Sequence, residues 1–206
     1  FRDLSLDESE RHEILEELDL LMKRGQFILG EEVEQFENEF AHQCQSSFAV
    51  AVSDGTGALY LALKALGVSA GDEVITSPMS WIATGNAILA LGAQPVFVDV
   101  LDDFNIDPKS IEASISSRTT AILPVHFYGR MARMDEITTI ARRHSLALVE
   151  DAAQAFGADL DGRPAGSFGD AAAFSLNPMK PLASLGEAGA VATSSRDVVD
   201  RVRSLR

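Results

Sequence analysis

The sequence predicts an α/β fold of three layers, a mostly parallel β-sheet with helices on both faces. Two observations carry this. From Ser47 onward, short apolar runs such as FAVAV and LALVE recur without the alternation of a sheet wetted on one face. Longer segments with apolar residues at helical spacing separate them, and strands alternating with helices build parallel sheets.

Two helices are expected first. Ser5-Leu6-Asp7-Glu8 sets a serine three residues before a glutamate, the pattern of a capping box. Ile14, Leu15, Leu18, Leu21 and Met22 follow at helical spacing, and Gly25 is a stop. Val33, Phe36 and Phe40 mark a second amphipathic helix after Gly30. Strands are expected at Phe48–Val52, Glu73–Thr76, Pro95–Val100, Thr120–Val125, Leu146–Val149, Ala171–Ser175 and Gly189–Thr193. Helices are expected at Ala58–Leu66, Ile82–Leu91, Pro108–Ile115, Met134–His144 and Ser195–Leu205, with Gly67 and Gly92 closing the first two. Residues 1–25 are thus read as an N-terminal helix and 26–206 as one large domain, long enough for a substantial core.

Composition narrows the function. The net charge of -14 argues against nucleic acid, which needs a basic footprint, and against anionic lipid. It leaves room for an anionic small substrate, because a pocket can be locally positive on an acidic protein. No apolar run approaches the roughly 20 residues that span a bilayer. The opening FRDLSLDESE lacks a basic segment followed by an apolar one, so no signal peptide is expected. Cys44 is the single cysteine, so no intrachain disulfide forms, and a cytoplasmic setting is expected with Cys44 as a semi-buried small residue. His12, His42, His126 and His144 are dispersed, without zinc-site spacing, so no metal is expected.

In a parallel sheet the ligand site lies beyond the carboxyl ends of the strands, and four features fall there. Ser53-Asp54-Gly55-Thr56-Gly57 joins a strand to a helix; small residues let backbone approach a ligand, and helix amides with a hydroxyl suit phosphate. An ordinary strand-to-helix turn fits that stretch equally well. Asp151 closes the LALVE strand, with Gln154 one helical turn on; a solvated cap, a metal ligand and a cofactor contact all fit. Ser175 and Lys180 lie in FSLNPMK, past a buried strand and before the glycine-rich Gly186-Glu187-Ala188-Gly189. Trp81, the single tryptophan, opens a helix and is either a packing residue or a flat surface for stacking a ring.

In order and spacing, the segments AVSDGTGALYLALKALGVSAGDEVITSPMSWIATGNAILALGAQPVFVDV, AILPVHFYG, LALVEDAAQAFGA and GDAAAFSLNPMKPLASLGEAGAVATSS resemble the sugar aminotransferases of the DegT/DnrJ/EryC1/StrS family, pyridoxal-phosphate fold type I. The resemblance runs from about Arg24 onward. It implies that residues 26–206 are the large domain that binds pyridoxal 5'-phosphate. Lys180 sits where the family has its Schiff-base lysine. Asp151 matches the acid at the pyridinium nitrogen and Gln154 the residue near the phenolic oxygen. Trp81 matches the stacking aromatic. Thr56 and Gly57 match the phosphate turn, and Ser175 a second phosphate contact. The chemistry suits these types: a carboxylate keeps the ring nitrogen protonated, and a lysine amine forms the Schiff base and then moves the proton.

Two features depart from the family pattern. Asn177-Pro178-Met179-Lys180-Pro181 differs from the commoner arrangement, in which Asn-Leu-Gly follows the lysine, and this leaves the sugar open. Family members run to nearly twice this length, so the resemblance implies that the family's small C-terminal domain is not expected within these residues. The resemblance implies transamination of a nucleotide-linked ketosugar with glutamate as donor, by a homodimer. The alternatives are a cyclitol or other non-sugar ketone as substrate, and a non-catalytic domain that keeps the fold. The family's dehydratases carry histidine at the lysine position, so Lys180 speaks against them.

Overall fold

The computed structural model describes residues 3–206. Helix α1 (Glu8–Arg24) is capped by Asp7, whose carboxylate accepts the Glu10 amide at 2.9 Å while Glu10 accepts the Asp7 amide at 3.4 Å. The capping box therefore lies two residues beyond the expected Ser5–Glu8. Both registers satisfy the same pattern, so the pattern alone cannot choose between them. Gly25 ends α1 in the left-handed region at φ 70°. Helix α2 (Glu31–Gln43) follows from Gly30 and buries Glu37, Phe40 and Ala41.

The alternation then begins: β1 (Phe48–Val52), α3 (Gly55–Ala65), β2 (Glu73–Thr76), α4 (Ile82–Ala90), β3 (Gln94–Phe97), α5 (Pro108–Ala113), β4 (Thr119–Leu123), α6 (Met134–His144) and β5 (Ala147–Asp151). A hairpin of β6 (Asp159–Leu160) and β7 (Arg163–Pro164) precedes β8 (Ala171–Ser175), β9 (Gly189–Thr193) and α7 (Arg196–Leu205). Helix α3 starts three residues before the expected Ala58, because Asp54 caps it. Strand β3 stops short of Val100, which leaves the ladder to bridge Ile106. The hairpin was not anticipated, although Asp161-Gly162, both at positive φ, is a strong two-residue turn signal.

Seven strands among the described residues form one sheet in the order β1-β9-β8-β5-β4-β2-β3. Strand β9 runs antiparallel to β1 and β8, and the remaining pairs are parallel. Successive side chains serve opposite layers, as a period of two requires. In β4, Ile122 packs with Phe40, Ile111, Ile137 and Phe174 on the side of α2, α5 and α6. Its neighbours Ala121 and Leu123 pack with Leu59, Ile88 and Val199 on the side of α3, α4 and α7. Both faces are covered, which explains the continuous apolar runs. On the first side Phe40, Phe156 and Phe174 form an aromatic cluster with centroids 5.0–6.3 Å apart.

From β2 the chain moves outward to β3; from β4 it moves the other way, to β5 and β8. The order reverses between β2 and β4, and a crevice opens beyond the carboxyl ends at such a point.

Candidate active site

A cleft of about 1150 Å³ lies in that crevice. Its walls come from strand ends: Asp54, Gly55 and Thr56 after β1, Pro78 to Trp81 with Ala83 and Thr84 after β2, and Phe127 and Tyr128 after β4. Asp151, Ala153 and Gln154 come from β5, and Ser175 with Lys180 from β8. Glu187 precedes β9, which runs in reverse and so begins at the same rim.

The turn after β1 is shaped by close approach. Asp54 accepts the Gly57 amide at 2.8 Å and the Ser53 hydroxyl at 2.8 Å. The Gly57 amide bond, with burial opposing it, leads the causes that hold the Asp54 carboxyl below its ordinary range. Gly57 is thus engaged in the cap and stands outside the cleft lining, while Gly55 and Thr56 line it. A Cβ on Gly55 would stand 2.6 Å from the Ser175 Cβ, so glycine is what allows the turn to meet the end of β8. Acidic side chains are absent from the first turn of α3, which suits an anion at its amides.

Asp151 and Glu150 are adjacent buried carboxylates with opposite surroundings. Glu150 accepts from the amides of Gly166, Phe168 and Gly169 at 2.8–3.0 Å and pairs with His126 Nε2 at 3.0 Å. The Ala132 amide donates to His126 Nδ1 at 3.2 Å, so Nε2 carries the proton given to Glu150. Burial pushes the Glu150 carboxyl up, but the His126 bond and these amides outweigh it and hold it below its ordinary value. Asp151, on the cleft side, accepts from Thr84 Oγ1 at 2.6 Å and from the Ala153 amide at 3.2 Å. Burial dominates there, and the carboxyl is pushed up despite Thr84. A desolvated carboxylate with unused acceptor capacity facing a cleft is a seat for a cationic N–H group.

Trp81 caps α4 and is 73% exposed, its ring offered to the cleft rather than packed in the core. Gln154 accepts the Tyr128 amide at 3.1 Å, which fixes Tyr128 in the left-handed region at φ 50°. Lys180 is half-buried in a turn closed by its own amide on the Asn177 carbonyl at 2.8 Å. The Asn177 side chain accepts the Met179 amide and donates to Glu187 at 2.7 Å.

The structure therefore brings Thr56, Trp81, Asp151, Gln154, Ser175 and Lys180 to one cleft and leaves Gly57 behind the turn. The sequence analysis names Gly55, Asn177 and Glu187 only within longer segments and does not single out Thr84 or Tyr128. Thr84 had a readable signal, since it lies one helical turn after Trp81. Cys44 is fully buried rather than semi-buried, and burial pushes its thiol up to about 12.

A model of the DegT/DnrJ/EryC1/StrS aminotransferase family matches residues 8–206. The chain belongs to that family. The dTDP-3-amino-3,4,6-trideoxy-alpha-D-glucose transaminase of Streptomyces venezuelae is 46% identical over 187 residues, 90% of this chain and 49% of that protein. Among solved structures, S. venezuelae DesV in complex with a ketimine intermediate superposes with a TM-score of 0.91 at 44% identity, over 99% of this chain and 56% of that one. NtdA from Bacillus subtilis with bound cofactor PMP gives a TM-score of 0.91 at 37% identity, over 96% of this chain and 45% of that one. The chain spans about half the length of the curated relatives it matches.

The cofactor of this family is pyridoxal phosphate, and the cleft fits it. The α3 turn with Thr56 and Ser175 suits a phosphate, and Asp151 suits a protonated ring nitrogen. The Trp81 ring suits an aromatic face, and the Lys180 amine suits an aldehyde carbon. No described helix is long and apolar enough to cross a membrane.

Proposed function

We propose that the full protein transfers an amino group from glutamate to the ketone of a nucleotide-linked sugar, working as a homodimer. The observation that carries this reading is the convergence of Lys180 and the under-satisfied Asp151 on one cleft. The family's relatives support the substrate class, because two are named as a transaminase and an aminotransferase of dTDP- and UDP-linked sugars and a third as GDP-perosamine synthase.

Pyridoxal phosphate supplies, when bound, a carbonyl that takes up an amine and a ring that accepts an electron pair. The chain's residues do the rest. Asp151 holds the proton on the ring nitrogen, where burial strengthens the attraction between the charges. Lys180 Nζ would hold the cofactor covalently and, once released, would take the proton from the donor carbon that gives up the nitrogen and deliver it to the cofactor carbon that keeps the nitrogen. Thr56 and Ser175 anchor the phosphate, with Gly57 serving through the cap that sets the turn. Trp81 would hold the ring face, and Gln154 would take the phenolic oxygen. The exposed side chains at the mouth, Trp81, Tyr128 and Met179, form the apolar rim proposed to meet the partner subunit.

The test is to assay the full-length protein, loaded with pyridoxal phosphate, with glutamate and a panel of dTDP-, UDP- and GDP-linked ketosugars beside a ketocyclitol. Formation of 2-oxoglutarate and aminosugar is expected. Turnover of the ketocyclitol alone would move the substrate class to cyclitols. Absence of cofactor binding would leave a non-catalytic domain.

A further inference from the structure

The segment after β2 carries two adjoining hydroxyls. Thr84 is 2% exposed, and its Oγ1 lies 2.6 Å from Asp151 Oδ2 and 2.6 Å from Ser80 Oγ. Thr84 has one hydroxyl proton, and a carboxylate can only accept, so that proton goes to Asp151 and Ser80 must donate to Thr84. The bonds thus run in one direction, from Ser80 at the cleft wall through Thr84 to Asp151. Thr84 also sits in the first turn of α4, where its amide is fixed on the Trp81 carbonyl at 3.1 Å and its branched Cβ restricts the rotamer. The contrast with Glu150 gives this bond its weight. Glu150 is held by His126 and the amides already named, whereas Asp151 receives Thr84 and one longer amide bond.

We propose that Thr84 is a positioning residue for Asp151: its hydroxyl, oriented by Ser80, fixes the rotation of the carboxylate and supplies the shorter of the two donor bonds that offset its burial. This rests on the reading of Asp151 as the partner of the cofactor's ring nitrogen. Helix α4 then sets both faces of cofactor recognition from one turn, the ring plane through Trp81 and the ring nitrogen through Thr84. Among the described residues, the other charged or titratable groups acting on Asp151 are His126, in the segment after β4, and Lys180, in the loop after β8. Glu150 precedes it on β5, with its side chain in the opposite layer. These groups stay in place when Thr84 is changed, so a change in the ionisation of Asp151 is traceable to the hydroxyl.

The test is a titration of pyridoxal phosphate into full-length protein at a series of pH values, read by the visible absorption of the bound cofactor. The proteins are wild type, Thr84→Val, Thr84→Ser, Ser80→Ala, Asp151→Asn and the Thr84→Val/Asp151→Asn double variant. Thr84→Val should bind about ten- to hundred-fold more weakly, the range for a hydrogen bond to a charged group. The pH below which affinity falls should move upward, because Asp151 would hold its proton more tightly. Thr84→Ser should stay within about threefold of wild type, because the donor is kept. Ser80→Ala, which changes only a partly buried wall residue, should shift the pH profile in the same direction and keeps the test open should Thr84→Val not fold. In the Asp151→Asn background Thr84→Val should add less than about twofold, since residues that act through one another are non-additive. Wild-type affinity and pH profile in Thr84→Val, or in Ser80→Ala if Thr84→Val does not fold, would overturn the proposal. So would a full additive loss in the double variant. Failure of the wild type to bind the cofactor at all would instead overturn the reading of the cleft itself.

Discussion

Glu150 and Asp151 share a strand and a buried setting, yet the pH should act on them in opposite senses. The folded Glu150 carboxyl lies below its ordinary 4.5, so its stabilisation is complete at neutral pH and is lost as pH falls from there through the lowered folded value. The folded Asp151 carboxyl lies above its ordinary 3.8, so the folded state binds that proton more tightly than the unfolded one. Its contribution is complete at acid pH and is lost as pH rises from 3.8 through the raised value. Without cofactor at pH 7, Glu150→Gln should therefore lower the unfolding free energy by roughly 3–5 kcal/mol, the cost of breaking a buried pair. Asp151→Asn should leave it equal or higher. Urea unfolding of both variants checks this, and a large loss in Asp151→Asn would mean that the carboxylate is structural rather than reserved for a ligand. The sequence marked Asp151 because acids at strand ends are visible. It could not show Glu150's role, because its partners Gly166 and Phe168 lie in a segment whose folding back is not written in local pattern.

The turn between β1 and α3 is where an element, rather than a residue, makes the site. Asp54 caps the helix, Gly55 lies against Ser175, and Gly189 in β9 leaves room for the Asp54 carbonyl. Gly55→Ala should cost about 1–3 kcal/mol through overpacking, and should weaken cofactor binding by displacing the turn. Gly55→Ala/Ser175→Gly should recover part of that stability, although the hydroxyl is gone. Thermal unfolding and cofactor titration of both variants decide it; no recovery would show that the crowding lies elsewhere. Element identity was legible here because apolar runs and glycine stops are local: β2 falls on its expected bounds, and α6 does too. Boundaries set by side-chain caps were less so. Helix α3 begins where Asp54 turns to the Gly57 amide, an event decided by one side chain and invisible to periodicity. The short β6–β7 hairpin went unseen because two-residue strands carry no periodic signal, though its Asp161-Gly162 turn does.

At the scale of the whole molecule, strand order makes the cleft, and it is what sequence pattern could least supply. Nothing local says that β1 lies beside β9, or that the order reverses between β2 and β4. Yet that reversal carries the loops after β2 and β4 apart and lets Trp81, Asp151 and Lys180, spread over a hundred residues, face one space. The rule that ligands sit beyond strand carboxyl ends located the residues, and the resemblance assigned their roles. The two agree because the same topology underlies both. Helix α1 belongs to this scale as well. Its apolar residues recur as in a packed helix, but Leu15, Leu18, Leu20 and Met22 are exposed, which accords with the proposed homodimer, where a partner covers such a face. The central claim is that Lys180 carries the cofactor. The direct measurement is borohydride reduction of the full-length protein loaded with pyridoxal phosphate, followed by digestion and mass spectrometry of the peptides. One reduced pyridoxyl group is expected, on Lys180, and none in Lys180→Ala. A modification on Lys64, Lys109 or another lysine with Lys180 untouched would contradict it.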